Sequence, residues 1–419
     1  MATPATANLT SLDPVIKTLY PQKTITKFFY ENAPLLALMP KKTNFGGKNA
    51  QVAMRIATTT GGGADFATAM ANRGAATYSK LLLTRSRDYS IFTIDAETID
   101  ATMGDPNAIV EGLQNEIDAA MDQLRRAMQI DVYRNGGGVR GKGDGAYSVA
   151  GATIQLATPQ DIVNFEVNQW LVFASTDGTT GAPRSGHVQV ASIDRDLGKI
   201  TCTGNVTAGI AAAVNTDYIF REGDFLNGST TMKVVGLDGW LPLAAPTSTA
   251  FFGLDRSIEP YRLGGVRFAN AVASGQIEET IQKLCARIAR EGGKPDAAFL
   301  NSDDWLTLAL SMESRFSSGA SITETQTDVG LGFTAIKIVT PTGTVKVYSD
   351  PNCPAGRVYV LQMDTWQFWT LGEAPRFLGQ GKDNLRLLRE ANADSYTGRI
   401  GYYGQIWCSA PGYNGVALV

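Results

Sequence analysis

The chain has 419 residues, 44% hydrophobic and 18% charged, with a formal net charge of −3. This is a folded globular composition with length for two or three domains; it excludes a disordered chain and, lacking any basic stripe, a dedicated nucleic-acid binder. Cys202, Cys285, Cys353 and Cys408 are isolated, with no CxxC spacing, so neither a disulfide framework nor a zinc site is expected. No run approaches the ~18 apolar residues of a membrane span, and no apolar segment follows the first basic residue, Lys17, as in a secretory leader. The expectation is a soluble protein made in the cytoplasm, with no membrane partner.

Residues 1–43 read as a polar, then amphipathic arm. Asp13-Pro14 opens one short helical segment, and a second after Pro21 carries Phe28, Phe29 and Tyr30, with Leu35, Leu36, Leu38 and Met39 after Pro34. That apolar surface is buried either on its own domain or on a neighbouring copy. Residues 45–95 read as a long hairpin, because both legs, Asn49–Ile56 and Thr77–Ile94, alternate with the period of two that marks strands. The tip, Ala57–Ala76, is rich in small residues and has no core of its own, so it is either disordered or lies on something else. Phe66 and Met70 favour contact with something else.

Asp105–Arg134 is the longest helical pattern in the chain. Val110, Leu113, Ile117, Met121, Leu124 and Met128 recur at steps of three and four. Asp105 and Pro106 suit a helix start, and Gly136, Gly137 and Gly138 a stop. Glu111, Glu116, Asp118 and Asp122 lie early and Arg125, Arg126 and Arg134 late, as the helix dipole prefers. The helix would be roughly 40 Å long, a strut across an extended molecule. Gly136–Lys142 then matches the start of a phosphate-binding loop, G-x-x-x-x-G-K. Gly143 stands where Ser or Thr is needed, and a helix precedes the motif where a strand is required, so nucleotide binding is rejected.

Residues 150–225 read as a small β-rich module with a strong hairpin across His187–Thr203. Its turn acids Asp194 and Asp196 lack the further spacing of a calcium loop. His187 is the sole histidine and has no nucleophile motif to serve. From Leu226 the pattern becomes α/β. Gln276–Arg290 is an amphipathic helix, Ala297–Leu300 a strand, and Ser302-Asp303-Asp304 the cap of a third helix, which explains the paired acids without catalysis. Strands follow at Ala335–Val339, Thr344–Tyr348, Arg357–Gln362 and Thr365–Leu371, and Leu385–Leu418 is strand-rich and aromatic.

This order resembles that of the major capsid proteins of tailed bacteriophages, over the chain from about residue 10 to its end. The local stretches that carry the resemblance are GLDGWLP (Gly236–Pro242), FFGLDRS (Phe251–Ser257), KPDAAFLNSDDWLTLAL (Lys294–Leu310) and, most specifically, Val345–Leu378. The resemblance implies an α+β fold of tailed-phage capsid type, shared with encapsulins. Its parts would be an N-terminal arm (1–44), an extended-loop hairpin (45–95) and a peripheral domain with the long spine helix (96–149). An inserted β-rich domain (150–225), an axial domain (226–340) and the peripheral sheet with its return strands (341–419) would complete it.

The implied function is a structural subunit, not an enzyme, without catalytic residues, cofactor or metal. It would assemble with itself into hexamers and pentamers of an icosahedral head enclosing double-stranded DNA held without sequence specificity. Its further partners would be a portal protein, a separate scaffold protein and decoration proteins. The alternative is an encapsulin-type shell around protein cargo; length and the insertion favour the phage head. Residues expected at subunit contacts are Phe28, Phe29, Phe66, Met70, Arg73, Lys80, Arg85, Arg87, Asp122, Arg125 and Arg126. Leu113, Ile117, Met121 and Leu124 should pack on strands from 345–418, leaving Asp118, Asp122, Arg125 and Arg126 for neighbours. Some family members join copies by a Lys–Asn isopeptide bond. Lys48 and Lys80 lie on the hairpin legs and Asn352 in a later turn, but the tip carries no lysine, so no cross-link is expected. The arm is too short to be a cleaved scaffold domain, so none is expected either.

Overall fold

The computed structural model describes residues 33–96, 106–225, 233–268, 276–316, 335–378 and 387–419. Phe28, Phe29 and the side chain of Leu113 lie outside what is described. The first described element is the short helix Pro34–Leu38, with Pro at its start. Leu35 and Met39 are buried in the main core, so this end of the arm docks on its own fold. Strand β1 (Lys41–Lys42) follows, and Phe45 packs edge-on against Trp369.

β2 (Asn49–Ala57) and β3 (Thr77–Thr84) form the hairpin, antiparallel from Asn49↔Thr84 to Ala57↔Thr77. Ile56, Leu81 and Leu83 on one face are buried in the main core. The legs of the hairpin therefore rest on the body. The tip is uncovered, and its short helix Phe66–Ala71 has no buried residue. At Arg85 the second leg leaves the hairpin. β4 (Ser86–Asp95) belongs to another sheet and buries Ser86, Asp88, Ser90, Phe92 and Ile94 on one side.

The long helix spans Pro106–Asp131. Leu124 and Met128 are buried, and Ile117 and Met121 pack on the same core. The helix lies on β4 and on a late strand, Ser395–Cys408. The expectation of a single covered face fails at its end, where every residue from Ala127 to Tyr133 is buried. The far side there is closed by the segment around Gly236, whose N–H donates to Arg134 O at 2.8 Å, while Leu237 N donates to Val132 O at 2.8 Å. A Cβ on Gly236 would stand 2.2 Å from Val132 O, so this approach demands glycine.

Residues 139–221 form a closed barrel. Its strands are β5 (Val139–Lys142), β6 (Thr153–Gln155), β7 (Trp170–Ala174), β8 (Val188–Asp194), β9 (Lys199–Cys202) and β10 (Tyr218–Arg221), in the order β5-β10-β7-β8-β9-β6. A bridge between Gly143 and Leu156 joins the two ends, supported by Ala157 N to Lys142 O at 2.8 Å and Asp144 N to Gln155 O at 3.1 Å. Ile154, Phe165, Phe173, Val190, Ile200 and Ile219 fill the interior. Just after the near-motif, a Cβ on Gly143 would sit 2.1 Å from Asn215 O, on the β10 side of β5. The barrel starts at Val139, ahead of the expected boundary at 150.

The remaining strands are β11 (Val266–Phe268), β12 (Ala297–Leu300), β13 (Ala335–Thr340), β14 (Gly343–Ser349), β15 (Arg357–Leu361), β16 (Trp366–Thr370), β17 (Arg376–Phe377), β18 (Leu387–Arg389), β19 (Ser395–Cys408) and β20 (Gly415–Leu418). A mixed sheet runs β11-β20-β15-β12-β14-β13. On it the helix Ile277–Arg290 buries Ile277, Ile281, Leu284 and Ile288. The second sheet runs β1-β16-β19-β17, with β4 and β18 also on β19. The expected division at 340/341 does not follow the sheets. β14, β15 and β20 complete the mixed sheet, because the chain returns after β19 to pair β20 between β11 and β15. The helix Ser302–Phe316 is capped one residue earlier than expected, by Asn301, whose side chain accepts from Asp303 N at 3.2 Å. Asp303 instead accepts from Gln160 at 2.9 Å, and Asp304 from Gly356 N at 2.8 Å.

Candidate inter-subunit surfaces and the charged joint beneath them

The tip is a built structure on an uncovered limb. Asp65 caps its helix, accepting from Thr68 N at 2.9 Å and Thr68 Oγ1 at 2.8 Å, and these bonds hold its carboxyl below the usual range. Thr60 Oγ1 donates to Asn72 O at 3.0 Å and ties the two sides of the loop. Phe66 is 78% exposed, Tyr78 63% and Met70 47%. Burying such side chains is worth about 1.5–3 kcal/mol each, which a lone subunit forgoes here. Arg73 and Lys80 are exposed beside them.

The other expected contact residues divide. Arg87 is exposed on β4. Arg85 turns inward, donating to Phe45 O at 3.0 Å and lying over the Phe45 ring. On the long helix Arg125 is exposed and 3.5 Å from Asp122, whose half-buried carboxyl is pushed up by desolvation. Arg126 is 13% exposed and pairs with Glu166 of the barrel, so it clamps two parts of one chain. Asp118 is likewise engaged within the chain. Lys48 is exposed, and Asn352 folds back on Asp350, donating from N at 3.0 Å and from Nδ2 at 3.2 Å. His187 lies edge-on to Trp170, with Nδ1 3.1 Å from Glu222 Oε1.

Beneath these surfaces lies a joint that the sequence did not reveal. Asp88 of β4, Asp131 at the end of the long helix and Asp224 beyond β10 meet Arg140 of β5, Arg221 of β10 and Lys233. Lys233 Nζ is 2.6 Å from Asp88, 2.9 Å from Asp224 and 3.6 Å from Asp131. Arg140 is 3.0 Å from Asp224 and 3.4 Å from Asp131, and Arg221 is 2.7 Å from Asp88 and 2.8 Å from Asp224. Three carboxylates balance three cations, all buried save for a partly covered Arg221. Burial alone would raise Asp224, but Arg221, Lys233 and Arg140 hold it well below the usual range. At Asp131 burial wins over the longer contacts to Arg140 and Lys233, and its carboxyl is raised. Two residues on, Tyr133 Oη donates to Asp350 at 2.8 Å, and burial pushes the Asp350 carboxyl up to about 6. The end of the long helix is thus tied to β4, to the barrel and to the mixed sheet at once. The one sequence sign was polar Ser86, Asp88 and Ser90 alternating on what proved to be the inward side of β4.

A long helix lies on β4 and β19, a mixed sheet carries two helices, and the hairpin ends in an uncovered apolar tip. The family model of the SU10 major capsid protein matches residues 23–383, and the chain belongs to that family. The cyanophage A-1(L) capsid asymmetric unit is similar over 95% of this chain and 94% of its own, at 14% identity and a TM-score of 0.52. A chain of Mycobacterium phage Ogopogo aligns over 99% of both chains at 10% identity and a TM-score of 0.47. The holo-SrpI encapsulin complex of Synechococcus elongatus PCC 7942 aligns over 99% and 96% at 8% identity and 0.42. No curated protein matches the chain. The family is one of structural proteins of the virion, not of enzymes.

Proposed function

We propose that the chain assembles with itself into hexamers and pentamers of an icosahedral phage head that encloses double-stranded DNA. The uncovered tip helix carries this reading. Among the described residues nothing covers Phe66 and Met70 of this folded, capped helix, and a neighbouring copy would supply that burial. Heterologous contacts that close into rings build such shells, and the weak net charge of −3 suits a wall that holds DNA without reading it. The proposed contacts are Phe66, Met70, Arg73, Lys80 and Arg87 of the hairpin and β4, Asp122 and Arg125 of the long helix, and Phe28 and Phe29 of the arm. Arg85 and Arg126 act within the chain. A portal, a separate scaffold protein and decoration proteins are the proposed further partners, and no Lys–Asn cross-link is proposed.

The double variant Phe66→Ala, Met70→Ala tests the reading. It should leave the melting temperature of the isolated subunit unchanged and lower the yield of closed shells at least ten-fold, counted by electron microscopy. Shells forming at full yield would remove the tip from the assembly contacts. Small shells filled with protein in place of DNA would support the encapsulin-type alternative.

A further inference from the structure

Two arginines near the start of the mixed sheet differ from the other inward-facing ones. Arg134, Arg140, Arg221 and Arg357 each sit on a carboxylate, of Asp161, Asp224, Asp88 and Asp238 respectively. Among the described residues Arg256 and Arg267 have no carboxylate partner. Asp255, next to Arg256 in the chain, is spent on Ser257, accepting from its N at 2.8 Å and its Oγ at 2.7 Å. Arg256 is 9% exposed. Its Nη1 donates to Gly239 O at 2.8 Å and to Trp240 O at 3.2 Å, while its Nε and Nη2 donate to nothing among the described residues. Arg267, on β11, donates from Nη2 to Pro260 O and Gly265 O, and its Nε lacks a partner as well.

A close approach brings the two together. A Cβ on Gly265 would stand 2.3 Å from Leu241 Cδ2, so the start of β11 lies against the end of the short helix Leu237–Trp240 that Arg256 holds. Burial, and after it the Arg267 charge, push Arg256 down to about 10, and burial lowers Arg267 too. A buried cation without a counter-ion is costly, and a like charge beside it adds to the cost. Aromatic rings cover the faces of both groups: Arg256 Cζ lies 3.7 Å from the Phe251 ring centre and Arg267 Cζ 5.2 Å from that of Tyr261. Such stacking leaves the N–H edge of a guanidinium open, and that planar fork grips a carboxylate or phosphate with two bonds. Arg267 is half-buried and Tyr261 is 49% exposed, so the pair is reached from solvent on that side.

We propose that Arg256 and Arg267 form a binding site for an oxyanion. The ligand is a free ion of the phosphate class or the carboxylate of an Asp or Glu side chain on a neighbouring copy, and both present a pair of oxygens to the same fork. An oxyanion there supplies the counter-charge that both arginines lack within the chain and relieves their mutual repulsion. The site goes beyond the shell reading and, for the isolated subunit, does not depend on it.

Calorimetric titration of the isolated, full-length subunit with inorganic phosphate, at an ionic strength held constant with chloride, tests the site. Saturable binding is expected, weakened about ten-fold or more in Arg267→Gln, the worth of one hydrogen bond to a charged group. Arg256→Lys, which keeps the charge and loses the fork, should weaken it too, and acetate should compete as a second oxyanion. No saturable binding, or binding unchanged in both variants, would overturn the proposal while leaving the shell reading standing. Shells assembled in phosphate separate the two sources. Phosphate retained by each chain identifies the free ion. Loss of phosphate on assembly, with Arg267 newly shielded from phenylglyoxal, identifies a carboxylate of an adjacent copy. Loss of phosphate with Arg267 still reactive would overturn the site.

Discussion

Lys233 holds the charged joint together, with carboxylates of Asp88, Asp224 and Asp131 within 3.6 Å. Removing one partner of a buried ion pair costs about 3–5 kcal/mol, because the remaining charge stays buried and unpaired. Lys233→Met should lower subunit stability by about that amount in urea unfolding, whereas Asp131→Asn, at a site where burial already disfavours the charge, should cost under about 1 kcal/mol or stabilise. Asp350 has the same sign. Its carboxyl titrates near 6 in the fold and near 4 when unfolded, so the folded chain binds more protons between those values. The stability it contributes is present below about pH 4 and lost as pH rises through 6. Asp350→Asn should therefore raise the melting temperature at pH 8 and leave it unchanged at pH 4. An equal shift at both values would mean that ionisation is not the cause. Apart from the alternation of Ser86, Asp88 and Ser90, little of this was legible in the sequence. The six charges of the joint are scattered from position 88 to 233 without any spacing motif, and only chain crossing brings them together.

Elements were far more legible than residues, because periodicity reports burial directly. The helices Pro106–Asp131 and Ile277–Arg290 fall where apolar residues repeat at three and four, and the strands from β12 to β16 fall within a few residues of their alternating runs. The second leg of the hairpin, read as Thr77–Ile94, pairs with β2 only as far as Thr84, because the change of sheet at Arg85 leaves no mark on a pattern that alternates straight through it. Leu81→Ala should cost the isolated subunit about 2–5 kcal/mol, as a fully buried leg residue, while Phe66→Ala should cost almost nothing. Equal effects would contradict the division between docked legs and free tip. Barrel closure was also hidden, since the seam is a single bridge, Gly143↔Leu156, outside the alternating runs. Gly143→Val should unfold the barrel while leaving the mixed sheet intact, read by loss of protected amides confined to 139–221. Uniform loss would show that the barrel is not a separate unit.

At the scale of the molecule, the order of parts was readable and their partition was not. β20 lies in the mixed sheet although its sequence neighbours build the other one, because strand pairing is settled by the path of the chain through space. β4, the barrel and the long helix meet at the charged joint, Tyr133 ties the helix end to the mixed sheet through Asp350, and the hairpin tip is left exposed. On the reading proposed above, copies of the same chain complete a subunit so arranged. Electron cryomicroscopy of particles purified from cells that make the chain tests this most directly. Closed icosahedral shells of hexamers and pentamers are expected, with each tip seated on an adjacent copy. Monomers or open aggregates under conditions that keep the chain folded, or shells whose tips project freely into solvent, would contradict it.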